Sequence, residues 1–111
     1  MSDMYILLSD KKTPILTDDL LEWGRWMEKR DRVVAVSEWD GVKVSTVFLG
    51  LDHNFWGGGP PILWETLVFE GEYDGDMECY TSYDDALEGH KAMCTKVFGE
   101  PKPFAEITIT E

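Results

Sequence analysis

At 111 residues, with 22 Asp and Glu against 10 Lys and Arg, the chain has room for one hydrophobic core and carries a formal charge of −12. A second core would leave both too small to be stable, while 43% hydrophobic and 13% aromatic residues argue against general disorder. The shortage of bases disfavours direct nucleic-acid binding, which needs clustered Lys and Arg to displace counterions, and no apolar run approaches the ~18 residues of a membrane span. The first residues, MSDMYILLSDKK, place acids where a secretory signal needs bases. The expectation is a soluble protein of a reducing cytoplasm, with Cys79 and Cys94 as free thiols and no membrane partner.

Met4–Leu8 is a short apolar run ending in the turn-prone Ser9-Asp10-Lys11-Lys12 and reads as a strand. Thr17–Arg30 has helical spacing. Thr17 is the N-cap of this reading, Asp18 and Asp19 occupy the first turn, and Lys29 and Arg30 the last. Leu20, Leu21, Trp23, Gly24 and Met27 form its stripe, and Gly24 weakens such a helix by about 1 kcal/mol relative to Ala, which suggests close approach by another element. Val33–Trp39 and Val42–Leu51 flank Asp40-Gly41, a pair that tolerates the positive φ of a type I′ hairpin turn. The second run is apolar on both faces, Val44, Thr46 and Phe48 on one and Val47, Leu49 and Leu51 on the other, so it reads as an interior strand.

His53–Pro61 is a loop by composition, and Ile62–Phe69 is another two-faced strand. Glu70–Gly75 then turns the chain into a strand near Met77–Thr81. Ser82 and Asp85 resemble a capping box that opens a helix over Tyr83–Phe98, with Tyr83, Leu87, His90, Cys94 and Val97 down one side. Gly99 ends it, and Pro101 and Pro103 stop it resuming. Phe104–Thr110 alternates as a half-buried edge strand. The order β-α-β-β-β-β-α-β predicts one α+β domain over residues 1–111, a mainly antiparallel sheet of five to six strands with both helices on one face.

The charge is unevenly placed. Residues 1–32 hold seven acids and six bases, and 89–111 hold three of each. Between Lys43 and Lys91 there are ten acids and no base, densest at Glu70, Glu72, Asp74, Asp76 and Glu78. This is either a solvated hairpin or an acidic patch for a basic protein surface.

Asp52-His53-Asn54-Phe55-Trp56 leads into three glycines at the end of a strand. Asp52 could orient His53 for acid/base work, or Asp52 and Asn54 could make Asx turns in a recognition loop that offers Phe55 and Trp56 as interface anchors. The second reading is preferred to catalysis, and a loop folded back onto the domain is the remaining alternative. A phosphate loop is rejected because Pro60 and Pro61 remove two N–H donors and a strand follows. Glu65 shares a face with Leu63, Leu67 and Phe69; a carboxylate buried there needs His53, His90 or an Arg of the first helix as partner and is the best candidate for a perturbed pKa, but the stronger reading is a paired or rim-exposed structural Glu. His90 and Cys94, four residues apart, could join Cys79 and His53 around zinc, but with no CxxC or HxxxH pair the stronger reading is a core histidine bonded to a carbonyl or to Glu65. No metal or cofactor is assigned. Trp23, Trp26, Trp39 and Trp64 read as packing residues.

Three stretches recur together elsewhere: Val44-Ser45-Thr46-Val47-Phe48-Leu49-Gly50-Leu51-Asp52-His53-Asn54-Phe55, then Pro60-Pro61-Ile62-Leu63-Trp64-Glu65-Thr66-Leu67-Val68-Phe69, then Tyr80-Thr81-Ser82-Tyr83 with Ala86 and Gly89-His90. In this order they resemble a family of small uncharacterised bacteriophage and prophage proteins, over residues 44–93. The resemblance implies a phage setting and a bacterial host cytoplasm, and it directs attention to Asp52, His53, Glu65 and His90; it implies no reaction.

The leading expectation is a non-enzymatic accessory protein that binds a host protein with a basic surface through Asp52, His53, Asn54, Phe55, Trp56, Glu70, Glu72, Asp74, Asp76 and Glu78. Interference with a nucleic-acid-handling or defence system, as anti-CRISPR and other DNA-mimic proteins do, is one version of it. The competing expectation is a small hydrolase or metal-binding protein, which requires Asp52, His53, Glu65 and His90 to converge within ~5 Å in an open cleft. A third is an assembly protein that forms a homo-oligomer through the Phe104–Thr110 edge.

Overall fold

A computed structural model describes residues 3–29 and 32–99, and the main chain of 106–109. The chain opens with a hairpin of β1 (Met4–Leu7) and β2 (Pro14–Thr17). Its turn is built by Asp10, whose carboxylate accepts the Lys12 and Thr13 N–H groups at 2.8 and 2.9 Å. The sequence reading missed β2, because four residues led by a proline and followed by helical spacing carry little strand signal of their own. With Thr17 ending a strand, the helix cap moves to Asp19, which accepts Leu21 and Glu22 N–H at 3.0 and 3.1 Å. Thr17 is therefore not the N-cap. The helix, α1, spans Leu20–Met27, so Asp18 and Asp19 precede its first turn; Arg30 lies outside the described residues.

Gly24 was expected to admit a neighbour, yet a Cβ there would meet nothing within 4 Å. The close approach occurs at Gly50 instead. Its φ is +77°, and a Cβ would meet Met27 Sδ at 2.6 Å, with Trp23 Nε1 at 3.2 Å. Trp23 Nε1 also donates to the Gly50 carbonyl at 3.0 Å, and Tyr5 N–H donates to the same oxygen at 2.8 Å. One glycine thus joins α1 and the first hairpin to the rest of the domain.

The remaining strands are β3 (Val33–Trp39), β4 (Val42–Phe48), β5 (Trp64–Phe69), β6 (Met77–Tyr80) and β7 (Glu106–Ile109). They form one antiparallel sheet in the order β6-β5-β4-β3-β7. Asp40 and Gly41 both have positive φ, 53° and 79°, as the hairpin reading requires. β4 is the central strand that its two apolar faces implied. β7 is an edge strand paired with β3; positions 104, 105 and 110 of the expected strand lie outside the described residues.

The helix α2 (Tyr83–Phe98) begins at Ser82, whose Oγ accepts Asp85 N–H at 3.1 Å, and ends at Gly99 with φ +84°. It crosses β3, β4, β5 and β6 on one face of the sheet, burying Ala86, His90 and Met93. Trp26 of α1 reaches the same face and packs edge-on against Phe48, ring centroids 5.5 Å apart. The domain is therefore α+β, with both helices on one side of an antiparallel sheet, as the sequence indicated.

Candidate functional site

Under α2 the inner face of the sheet is layered. Register sets Phe48 beside Trp64, Thr46 beside Thr66, and Val44 beside Val68. Along the helix, Ala86, His90 and Met93 lie over these three rows in turn, so a polar row separates two apolar clusters. His90 is 1% exposed and both its ring nitrogens are engaged: Nε2 with Ser37 Oγ at 2.8 Å and Nδ1 with Thr46 Oγ1 at 2.7 Å. Thr46 meets Thr66 at 2.6 Å, and the Tyr80 hydroxyl donates to Thr66 Oγ1 at 3.0 Å. One proton order satisfies this belt: Tyr80 donates to Thr66, Thr66 to Thr46, and Thr46 to Nδ1, while the Nε2–H donates to Ser37.

Burial pulls the His90 imidazole down to about 4, so it is neutral at pH 7. Burial raises the Tyr80 phenol and the Cys94 thiol; a hydrogen bond from Ser37 partly offsets the rise at Cys94. The Ser37–His90 spacing is that of a nucleophile and its base, but catalysis needs access and an orienting acid. Here both residues are buried and a threonine hydroxyl occupies the orienting position. The belt is a structural lock.

The space for Tyr80 comes from Gly89. A Cβ at that position would clash with Tyr80 Cε1, Cζ and the hydroxyl oxygen. The ring can therefore cross the helix and reach Thr66 only above a glycine. Thr46, Thr66, Tyr80, Gly89 and His90 come from the three stretches that stood out in the sequence, which meet here. Sequence reasoning named His90 but missed Ser37, Thr46, Thr66 and Tyr80. The legible sign was threonine at inward positions of two otherwise apolar strands.

The expected convergence of Asp52, His53, Glu65 and His90 does not occur. Side chains alternate along β5, so Glu65 faces away from Thr66, and therefore from His90, on the side opposite α2. Hydroxyls, not Glu65 or a carbonyl, hold His90. Asp52 uses Oδ1 to accept Asn54 and Ile62 N–H at 2.8 and 3.0 Å. Glu65 is half-buried rather than sealed in, and stands opposite Cys79, whose thiol is raised by burial and then by Glu65 and Glu78. Among the described residues, no group of three or more His, Cys, Asp or Glu could hold a metal ion.

The loop after Leu51 is organised and exposed. Besides the Asp52 bonds, His53 N–H donates to Ile62 O at 2.9 Å, and the Asn54 amide donates to Gly58 O at 2.6 Å and Pro60 O at 3.2 Å. Gly57, Gly58 and Gly59 all have φ between 72° and 75°, which lets the chain wrap back around that amide. The result lifts the aromatics outward: Phe55 is 72% exposed and Trp56 93%. His53 lies against Phe55, ring centroids 5.5 Å apart.

The acid-rich turn is elsewhere. β5 runs from the aromatic loop at its start to Glu70 at its end, a span of roughly 20 Å for six residues. The aromatic and acidic residues therefore do not form one patch. Nor are the five acids equivalent: Asp74 caps the turn by accepting Glu70 N–H at 2.6 Å, and Asp76 pairs with Lys96 at 2.6 Å. Glu70, Glu72 and Glu78 are exposed.

No family model, curated protein or solved structure matches the chain. Among the described residues, no helix is long and apolar enough to cross a membrane.

Proposed function

We propose that this chain is a non-enzymatic binding protein that anchors to another protein through Phe55 and Trp56. The observation that carries the reading is the exposure of two large aromatics on a loop held in shape by Asp52, Asn54 and three left-handed glycines. Leaving a tryptophan in water while bracing the loop beneath it is costly for folding alone and suits an interface anchor. The net charge of −12 favours a partner with a basic surface, and the acids at the far end of the sheet orient its approach through their field rather than by contact at the loop. With the phage resemblance, the partner is a host protein, and a nucleic-acid-handling or defence protein, as for anti-CRISPR proteins, offers such a surface.

Affinity capture from bacterial lysate tests this, comparing wild type with the Phe55→Ser/Trp56→Ser variant and with Glu70→Lys/Glu72→Lys. A basic protein retained by wild type, lost with the aromatic variant and captured more slowly by the charge variant is the expected result. Equal recovery by wild type and the aromatic variant overturns the reading.

A further inference from the structure

The strand β6 ends the main sheet, and among the described residues nothing pairs with its outer side. Val68 N–H donates to Asp76 O at 3.0 Å and Leu63 N–H to Tyr80 O at 3.1 Å. Antiparallel ladders alternate, so Asp76 turns its carbonyl, and Glu78 and Tyr80 their main chain, toward β5, while Met77 and Cys79 turn theirs outward. Both of these residues are exposed, Met77 by 54%. Beside this edge lies a groove of about 310 Å³ between β6 and α2, lined by Glu78, Tyr80, Gly89, Ala92, Met93 and Lys96. Gly89 and Ala92 leave the helix side low, and Tyr80 and Met93 supply apolar contact.

The charge around the groove selects what can enter it. Among its lining residues Lys96 is the cation and Glu78 the acid; Lys96 is held by Asp76 at 2.6 Å and also lies in the field of Glu78, so with Asp76 the acids outnumber the base here. Asp85 lies one helical turn before Gly89 on the same side of α2, and Lys91 is within 3.7 Å of Glu88. A second copy of this chain would bring Glu78 against Glu78 and add the repulsion of two chains of −12. A segment bearing Lys or Arg at alternate positions has no such penalty, and its side chains would reach Glu78 and the groove.

We propose that β6 accepts an extended, Lys- or Arg-bearing segment of a partner protein as an added antiparallel strand, with alternate side chains seated in the groove between β6 and α2. This rests on the basic-partner reading above and gives that partner a second, main-chain contact distinct from the aromatic loop.

The test uses the full chain, amide-detected NMR and a synthetic octapeptide of alternating Lys and Val. The expected result is saturable shifts at Met77, Cys79, Thr81, Gly89 and Ala92, with slowed exchange of the Met77 and Cys79 amides. Cys79→Pro removes one outward N–H without touching the bonds to β5, and should weaken binding at least tenfold. The same peptide N-methylated at alternate residues makes the equivalent deletion on the ligand, so the answer does not depend on Cys79→Pro folding. Phe55→Ser/Trp56→Ser should bind the peptide as wild type does. Shifts scattered over all the acids, or peptide binding unaffected by N-methylation, overturns strand addition and leaves the aromatic anchor standing. Normal peptide binding with no loss of partner capture in the aromatic variant overturns the anchor instead.

Discussion

Beneath α2 and at the loop after Leu51, the same kinds of residue are treated in opposite ways. In the interior, His90, Ser37, Thr46 and Thr66 satisfy one another away from water, Tyr80 closes the set from the groove side, and an apolar cluster lies on either side. At the loop, Asp52 and Asn54 bond only to main chain, and the apolar groups they support face outward. Polar residues buried in a matched set fix one packing of helix on sheet, because any slip leaves several unpaired at once. Polar residues that hold a loop open fix a shape for something else to meet. The two regions should therefore respond differently to mutation: the belt through stability, the loop through binding.

The largest effect should come from cutting the belt at its centre. His90→Ala removes a buried ring and strands two hydroxyls, and should cost about 3–5 kcal/mol by urea unfolding. A cost below 1 kcal/mol would mean that the belt does not lock the fold. Acid should do the same work without mutation. His90 takes its proton at about 4 in the folded chain and near 6.5 when unfolded, so below 6.5 the unfolded chain binds more protons. Stability should then fall as pH drops from about 6.5 to about 4, by up to about 3 kcal/mol from this group. His90→Gln should lose that part of the pH dependence, measured as the difference between the two proteins' profiles.

Gly89→Ala is smaller and has a distinctive sign. Helix propensity alone would favour alanine by about 1 kcal/mol, but the Tyr80 ring occupies the site, and displacing it should give a net loss of about 1–3 kcal/mol. Tyr80→Ala made in addition should cancel the penalty of the Gly89→Ala step, which a double-mutant cycle reads directly. At the loop, Asp52→Ala frees two N–H groups at a partly exposed site and should cost about 1 kcal/mol, with faster amide exchange at Asn54 and Ile62. Smallest of all, Trp56→Ser should change stability by no more than about 0.5 kcal/mol while abolishing partner capture. A large loss of stability there would make the tryptophan a packing residue and remove the contrast.

Much of this fold could be read locally. The Asp40-Gly41 turn, the Ser82 cap, the Gly99 stop and the two-faced runs of β4 and β5 each carry their own chemistry, so the α+β class and the order of elements from β3 onward followed from the chain. The start of the first helix was less legible, because Thr17 and Asp19 are both competent caps and only the pairing of β2 with β1 decides between them. The exposure of Phe55 and Trp56 was also foreseeable, since a glycine-rich loop has nothing nearby to bury them.

Partnership was what the sequence could not supply. His90 was visible as a residue on an apolar stripe, but the strand register that brings Ser37, Thr46 and Thr66 to it is a long-range fact. Glu65 read as either a buried, perturbed carboxylate or a paired or rim-exposed one because its neighbours two residues away are apolar; which of these holds depends on which side α2 covers. The distance between the aromatic loop and the acid-rich turn was, by contrast, implicit in reading Ile62–Phe69 as a strand, since an extended strand carries its two ends to opposite ends of the sheet. The sequence by itself determined most elements, the Asp40-Gly41 turn, the Ser82 cap and the charge, because each depends on residues a few positions apart. Only the tertiary structure decided which polar groups lock the core and which face solvent, because burial and pairing are set by elements distant along the chain.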